Sequence, residues 1–397
     1  MRSIPFLIAI FFLAFYGTIT VLAWKSISPL THTLAFYKRV KRVYWFYSAL
    51  VWITFMLLFI FPFSIATSKN YSSYYYFNAL LFIDILCKAA LSISSLIHFF
   101  TTNKSRKKII SAMGMLIAAG LFLTFIWGIV WGANTVRKEQ VTLHVSNLPA
   151  SFDGLKIVHI ADIHLGSFHF KHLLEKVNEV SETFQPDLFL FTGDLVNNFS
   201  EETEGWQAHF QTFEARLGKF SILGNHDYGD YFRWKSEVER KSNFEKIVEA
   251  HSQLGFKLLR NESIPIISGN DTLYLVGVEN WGHPPFPQYA NLEKAEKSLP
   301  KGSFRILLSH DPAHWEAKIK KNENYQLTLS GHSHGLQWGI KPAGIEFSMS
   351  YFTRKNWGGL YENDHRYLYV NRGLGTIGIP WRIDMPAEIT LITLRRF

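Results

Sequence analysis

The sequence predicts an α/β protein in which four N-terminal transmembrane helices precede a four-layer α/β/β/α sandwich of two sheets flanked by helices. Almost all of the uninterrupted apolar sequence lies before about Trp131, and the rest of the 397 residues alternates strand-like and helix-like stretches. Short polar clusters follow the strand-like runs, where an open α/β sheet forms its ligand crevice. The predicted domains are a transmembrane domain over 1–132, a linker over 133–140 and a soluble domain over 141–397.

Each of four apolar segments is long enough to span a bilayer, which needs about 20 residues. The first is longer than the apolar core of a signal peptide and precedes no A-x-A pattern, so we expect it to be retained. The 34 Phe, 17 Tyr and 12 Trp fit a membrane domain with aromatic interfacial belts. The predicted spans are Ile4–Trp24, Val43–Ala66, Tyr76–Phe100 and Ile109–Trp131.

Much of the net charge of +9 lies in two loops, between the first and second spans and between the third and fourth. The loop between the second and third spans holds only Lys69. The positive-inside rule then places the basic loops in the cytoplasm and the soluble domain outside it. Topology thus explains this charge, and no nucleic-acid partner is predicted. The basic residues are Lys25, Lys38, Arg39, Lys41, Arg42, Lys104, Arg106, Lys107 and Lys108.

The third span contains Asp84 and Lys88, four residues apart on one helical face. Ionisable groups in a membrane are functional candidates, but no continuous polar pathway accompanies this pair, which favours a role in helix packing. The single cysteine, Cys87, lies in the same span. A disulfide within the chain and a cysteine-based metal site or nucleophile in the soluble domain are therefore excluded.

In the soluble part, three strand-like runs end in D-I-H, T-G-D and G-N-H-D, and helix-like stretches separate them, which predicts βαβ units. Later runs end in His310 and in the sequence G-H-S-H, and C-terminal runs are expected to form a second sheet. The predicted strands are 155–161, 187–191, 220–223, 272–278, 304–308, 327–329, 345–349, 367–370 and 388–394, with a first strand starting at Val141; the predicted helices are 170–184, 204–217 and 231–254.

Seven side chains in these clusters can bind a metal ion through oxygen or imidazole nitrogen, a donor set that suits divalent iron, manganese or zinc. Seven donors are too many for one catalytic ion that keeps an open position. They suit two ions bridged by a carboxylate and about 3.5–4 Å apart. The candidates are Asp162, His164, Asp194, Asn225, His310, His332 and His334.

The ordered motifs D-x-H, G-D, G-N-H-[DE], H and G-H-x-H resemble those of the calcineurin-like metallophosphoesterases. The stretches LPASFDGLKIVHIADIHLG and NRGLGTIGIPWRIDMPAEITL are similar to the YkuE/YaeI-type membrane-associated branch. The resemblance implies hydrolysis of phosphodiester, phosphomonoester or pyrophosphate bonds by metal-bound hydroxide. It also implies roles for single residues: Asp162, His164 and His334 on one ion, Asp194 as the bridge, Asn225, His310 and His332 on the second, and His226 as the catalytic acid or transition-state stabiliser.

Two positions depart from the family pattern. Asn197 stands where relatives carry an Asp that supports the catalytic histidine or a metal-binding Tyr, so support for His226 is expected from an amide or another residue. Leu336 replaces the second glycine of G-H-x-H-G-G-Q, which alters the loop without removing a ligand.

Several polar residues near the motifs have more than one interpretation. His159 lies within a strand and is expected in the core, whereas His169, His172 and His209 fit no ligand pattern. Asp227 either orients its neighbour or caps the following helix. The loop Trp281–Tyr289 with His283 borders the substrate entrance or is a rigid surface loop. Arg354, Lys355 and Arg382 are candidates for phosphate contact, but surface cations are abundant, so an ordinary surface role is favoured for each.

The sequence therefore predicts a membrane-anchored, dinuclear-metal phosphoesterase acting outside the cytoplasmic membrane on phosphate esters, with lipid-linked substrates as one class. Its expected partners are this substrate and the bilayer. One alternative is a catalytically silent membrane receptor or scaffold that uses the domain for binding. Another is a transporter centred on Asp84 and Lys88.

Overall fold

The computed structural model describes residues 6–60, 71–145, 147–168, 171–282, 284, 286–341 and 346–397. The chain divides into two compact units. The first comprises Met1–Ile129 with Gly378–Pro380, and the second comprises Val130–Ile377 with Trp381–Phe397.

The first unit consists of long apolar helices. Within the described residues, three segments are long and apolar enough to cross a membrane: Phe11–Thr31, Ser73–Phe100 and Lys104–Asn134. The predicted second span, Val43–Ala66, coincides with a helix as far as Ile60, and its remaining residues and Lys69 lie outside the described ones. The helices are α1 (Phe6–Thr31), α2 (Tyr37–Ile60), α3 (Tyr71–Ile97) and α4 (Lys104–Val130).

Asp84 and Lys88 form a buried ion pair on α3, with 2.8 Å between Nζ and Oδ2. The hydroxyl of Tyr16 on α1 donates to Asp84 Oδ2 over 2.7 Å and accepts from Lys88 Nζ over 2.6 Å. The three groups satisfy one another between two packed helices, which a buried ion pair requires. This geometry supports the packing interpretation of the pair.

Two six-stranded mixed sheets and a two-stranded sheet, β10-β11, lie in the second unit. The first has the order β1-β14-β2-β3-β4-β5 and the second β12-β13-β9-β8-β7-β6. β2 to β5 are parallel to one another, as are β7, β8, β9 and β13. The strands are β1 (Val136–Val145), β2 (Lys156–Ile160), β3 (Leu188–Phe191), β4 (Gly218–Ser221), β5 (Lys257–Leu258), β6 (Glu262–Ser268), β7 (Asp271–Gly277), β8 (Arg305–Leu308), β9 (Leu327–Ser330), β10 (Gly339–Ile340), β11 (Phe347–Ser348), β12 (Gly359–Asn363), β13 (Arg366–Val370) and β14 (Ala387–Arg396).

Alternate residues along each strand face opposite layers, which produces the predicted four-layer sandwich. Leu188 and Leu190 of β3 pack against Ile306 and Leu308 of β8 in the core between the sheets. Phe189 and Phe191 face the helices outside the first sheet, and Trp315 lies in the apolar cluster outside the second. The helices are α5 (Lys171–Phe184), α6 (Gln207–Gln211), α7 (Glu237–Gln253) and α8 (Leu292–Glu296), and residues Trp315–Ile319 form a π-helical turn.

The predicted linker is wrong at its end, because β1 begins at Val136 and residues 136–140 pair in parallel with 387–391 of β14. This edge segment is polar and half-exposed, so it lacks the apolar alternation that marked Val141 as the start. The prediction that 345–349 and 388–394 join the second sheet is also wrong. β11 pairs with β10 in a separate two-stranded sheet, and β14 lies between β1 and β2 in the first sheet.

Two predicted helices are shorter in the structure. Residues 204–217 contain only the short helix α6, and α7 begins at Glu237 rather than at residue 231. Ser236 caps α7 by accepting from the backbone N–H of Glu239, which fixes its start. Residues 230–235 before it are thereby left as a loop beside the G-N-H-D turn.

The buried carboxylate of Glu202 organises the loop that follows β3. Its oxygens accept backbone N–H groups from Gly166, Asn197, Asn198 and Phe199 at 2.5 to 3.0 Å. Burial outweighs these four donors and raises the pKa of Glu202 to about 7. A side chain with four acceptor sites is needed here, because each buried N–H requires a partner.

We expect Glu202→Gln to lower the free energy of unfolding by about 1–3 kcal/mol, because its amide NH₂ would face backbone donors. Thermal or chemical unfolding of the detergent-solubilised chain measures this. Glu201→Gln in the same turn is the control, since Glu201 is exposed. Equal stability of the two variants would contradict the assigned role of Glu202.

Candidate metal centre

All seven predicted ligands and His226 lie just beyond the carboxyl ends of parallel strands. Since the two sheets bring these strand ends to one edge, the side chains converge there. The positions are Asp162 and His164 after β2, Asp194 after β3, Asn225 and His226 after β4, His310 after β8, and His332 and His334 after β9.

The carboxylates and imidazoles form two groups whose ligand atoms lie within 4.8 Å of one another. One group contains Asp162, His164, Asp194 and His334; the other contains Asp194, His310 and His332. Oδ2 of Asp194 is 3.5 Å from His164 Nε2 and 3.3 Å from His310 Nε2. Asp194 is therefore common to both groups, at the position that a bridging carboxylate would occupy.

Asn225 lies next to the second group of carboxylates and imidazoles. Its Oδ1 lies 3.0 Å from His310 Nε2, while its Nδ2 donates to the hydroxyl of Tyr231 over 2.8 Å. The tyrosine thus fixes which end of the amide faces His310. Six of the predicted ligands fall in the two groups, and Asn225 adjoins them as the seventh.

The donor set fits a cation because its lone pairs face one another. His310 Nδ1 lies 2.8 Å from the carbonyl oxygen of Thr192, so Nδ1 carries a proton and the neutral ring aims a lone pair from Nε2 at oxygen atoms of Asn225 and Asp194. Likewise, His164 Nε2 lies 3.1 Å from His334 Nε2. Without a cation, His310 binds a proton instead: burial lowers its pKa, but the carboxylates of Asp194 and Asp162 and the carbonyl of Thr192 together raise it to about 10.

Five of the seven predicted ligands have a left-handed backbone, which non-glycine residues rarely adopt. Such conformations cost on the order of 1–3 kcal/mol each and persist where the surrounding structure imposes them. Here they turn the chain sharply at the strand end, so that side chains from the same turn reach the centre. The φ angles are 51° for Asp162, 51° for His164, 59° for Asp194, 72° for His332 and 50° for His334.

Two glycines allow the ligand turns to approach closely. A Cβ atom on Gly224 would lie 2.2 Å from Asp194 Oδ1, and one on Gly331 would lie 2.4 Å from Asp162 Oδ2. Any side chain at either position would displace a carboxylate of the centre. The glycines of the G-N-H-D and G-H-S-H motifs are therefore required by contact distances.

Asp227 connects two of the ligand turns, a role that neither sequence interpretation of this residue included. Its fully buried carboxylate accepts backbone N–H groups from Gly224 and Asp194 through Oδ2, and from Leu195 and Val196 through Oδ1. Burial and the nearby charge of Asp194 raise its pKa to about 7. Asp227 thereby holds the turns after β3 and β4 against each other.

His226 is supported by a backbone group. Its Nδ1 lies 2.8 Å from the carbonyl oxygen of Asn197, so Nδ1 donates a proton and Nε2 is the ring nitrogen available to a substrate. The ring stacks on Tyr231 with centroids 4.3 Å apart. The group that contacts His226 here is thus the main-chain carbonyl of Asn197. Burial lowers the pKa of His226.

Tyr231 is the site residue that sequence reasoning missed. It orients the amide of Asn225 and stacks on His226, and burial raises the pKa of its hydroxyl to about 12. The only signal was an aromatic residue shortly after G-N-H-D, inside a stretch predicted to be helical. The loop conformation of residues 230–235 is what directs it to the centre.

The other polar residues singled out in the sequence lie in different surroundings. His159 is a buried core residue whose Nε2 lies 2.9 Å from the hydroxyl of Thr192. Arg382 is buried and donates to backbone carbonyls of the 372–386 loop, so it fixes that loop. The exposed Lys355 forms an ion pair with Glu316 over 2.8 Å, whereas the charge of Arg354 acts on His332 of the centre. His169 and His283 lie outside the described residues.

Comparisons with known proteins agree with this geometry. The family profile described as calcineurin-like phosphoesterase matches residues 155–336, and one described as probable calcineurin-like phosphoesterase, transmembrane domain, matches residues 1–133. A transmembrane protein with metallophosphoesterase domain from Danio rerio is 28% identical over 68% of this chain, which spans only 60% of that protein.

Two bacterial relatives are equally similar. The uncharacterized metallophosphoesterase YkuE of Bacillus subtilis is 28% identical over 73% of this chain and 98% of its own length. The UDP-2,3-diacylglucosamine pyrophosphatase LpxG of Chlamydia trachomatis is 28% identical over 71% of this chain and 96% of its own length. With both profiles matching and the motif side chains converging, this chain belongs to the calcineurin-like phosphoesterase family and carries an N-terminal transmembrane domain.

Proposed function

We propose that this membrane protein hydrolyses phosphate esters or pyrophosphates with two divalent metal ions. The observation that carries the proposal is the position of Asp194, whose Oδ2 lies between an imidazole of each ligand group. A pair of ions bridged by one carboxylate needs this arrangement.

One ion would be held by Asp162, His164 and His334, the other by Asn225, His310 and His332, with Asp194 shared. The mixed imidazole and carboxylate donors favour manganese, iron or zinc. When bound, such ions supply Lewis acidity and lower the pKa of a water molecule for attack on phosphorus.

The protein would contribute orientation and proton transfer. His226 has its Nδ1 proton committed to Asn197, so its Nε2 would donate to the leaving oxygen or to the phosphoryl group. His332, Asn225 and His226 are partly exposed, whereas Asp162 and His164 are fully buried. A substrate would therefore enter from the side of the second ligand group, next to His226.

Lipid-linked substrates are the class we favour. The similarity to LpxG, whose name describes hydrolysis of a diacylated pyrophosphate, supports this choice, as does the attachment of the domain to apolar helices. Soluble phosphate esters at the membrane surface are the second candidate class. A phosphorus-detected screen of lipid extracts and nucleotide diphosphate sugars would separate the two.

We expect Asp194→Asn to abolish hydrolysis of bis-p-nitrophenyl phosphate and to weaken metal binding at least about tenfold, because both ions lose a charged ligand. Hydrolysis is measured after manganese loading, and bound metal by elemental analysis. Asp153→Asn, at an exposed carboxylate, is the matched control. Wild-type protein that binds manganese without hydrolysing any ester would instead favour a receptor or scaffold.

We expect His226→Ala to lower kcat by about 10²–10⁴-fold with unchanged metal content, since His226 transfers a proton and holds no ion. Asn197→Ala should have a far smaller effect, because alanine keeps the carbonyl that supports His226. Steady-state kinetics on the same ester compares them. Similar losses in both variants would mean that the Asn197 side chain supports catalysis.

The proposed orientation places the catalytic domain outside the cytoplasm, because the basic loops are expected inside. A cysteine introduced by Lys301→Cys in a Cys87→Ser background should then react with a membrane-impermeant maleimide in intact spheroplasts. Lys301 is exposed in the loop before β8. Labelling that requires lysis would place the domain in the cytoplasm.

A further inference from the structure

A group of large apolar side chains is exposed beside the candidate metal centre. Leu336 is 47% exposed, Ile340 45%, Met349 50%, Tyr351 67% and Phe352 70%. We call these five residues the apolar rim. Exposed apolar groups of this size, gathered in one place, mark interaction surfaces on soluble domains.

The rim is contiguous and is attached to a ligand turn. Ile340 of β10 pairs with Phe347 of β11, and the ring of Phe347 contacts Tyr351 and Phe352 with centroids 6.4 and 5.8 Å apart. The hydroxyl of Ser348 donates to the carbonyl of Gly335 over 2.6 Å. The rim therefore lies next to His334, one residue before Gly335.

Leu336 occupies a conformation that disfavours its own side chain. Its φ of 51° is left-handed, where a non-glycine residue costs roughly 1 kcal/mol or more. Nearly half of the side chain is exposed, so packing within the domain does not account for its presence. A glycine would relieve the strain, which indicates that the apolar side chain serves a contact outside the domain.

The charge around the rim is positive. Within the described residues, the exposed Lys341 directly follows Ile340 of the rim and forms no ion pair within 4.0 Å. Glu346, which interacts with Lys341 at longer range, is paired with Arg137 and Arg372. The surface thus combines exposed aromatic and aliphatic side chains with an exposed cation, which is the composition of interfacial membrane-binding segments.

A short stretch of chain joins this domain to a helix that is long and apolar enough to cross a membrane. α4 ends at Val130 and β1 begins at Val136, so five residues separate the two elements. Five residues span at most about 18 Å. A second copy of the chain would bring like charges together on this surface, whereas anionic lipid headgroups would neutralise them.

We propose that the apolar rim docks on the lipid bilayer, with Tyr351 and Phe352 in the interfacial layer and Lys341 at anionic headgroups. Docking brings the turn that carries His334 to the lipid surface. This inference concerns a binding surface and holds whether or not the metal centre is catalytic.

The test uses the full chain in liposomes, in a Cys87→Ser background, with an environment-sensitive fluorophore on Thr353→Cys. Thr353 is exposed and follows the rim without belonging to it. Nitroxide-labelled lipids should quench this probe several-fold more than a probe on Lys301→Cys, which precedes β8 and so lies at the opposite end of the strand from His310. Replacing neutral with anionic lipid should increase the difference in quenching between the probes at residues 353 and 301.

Two variants separate docking from folding. Leu336→Gly should reduce quenching at residue 353 while leaving the melting temperature unchanged or higher, and Tyr351→Ser with Phe352→Ser should reduce it further. Equal quenching at residues 353 and 301 would overturn the proposal. So would a probe signal that depends on protein density and not on nitroxide lipid, because that outcome indicates contact between copies.

Discussion

The buried carboxylate of Asp227 is the contact on which the geometry of the centre depends. It accepts four backbone N–H groups from the turns after β3 and β4, and so fixes Asp194 relative to Asn225 and His226. The backbone N–H of His226 in turn donates to Asp194 Oδ1 over 2.9 Å, which leaves Oδ2 directed at the two histidines. Two adjacent strand ends thus become one rigid unit that carries the shared carboxylate.

This rigidity has an energetic cost, which the sheets offset. Five ligand residues hold left-handed conformations, and the ligand atoms of each group lie within 4.8 Å of one another at a mostly buried site. The ends of the strands that deliver them are buried between two apolar layers, so the turns cannot relax independently. A cation would satisfy the same lone pairs, and metal binding would therefore stabilise the fold as well as enable chemistry.

The sequence was sufficient for the features that depend on local chemistry. Polar motifs at the ends of apolar strands located every candidate ligand, and long apolar runs located the helices of the first unit. Features set by distant contacts were not predictable. β14 pairs with both β1 and β2, and the spacing of apolar residues does not reveal which strands pair. The start of β1 is polar, so it shows no apolar alternation that would mark it as a strand. Tyr231 reaches Asn225 because of the path of a loop, and Asn197 contacts His226 through its main-chain carbonyl. Neither contact can be read from the identity of the residue.

Asp194 is proposed to join two metal positions in one centre. Electron paramagnetic resonance of the full chain loaded with manganese, together with the metal-to-protein ratio, would detect such a pair. We expect two ions per chain and the spectrum of an exchange-coupled pair, because bridged ions lie about 3.5–4 Å apart. A single ion per chain, or two ions with the spectrum of isolated manganese, would contradict it.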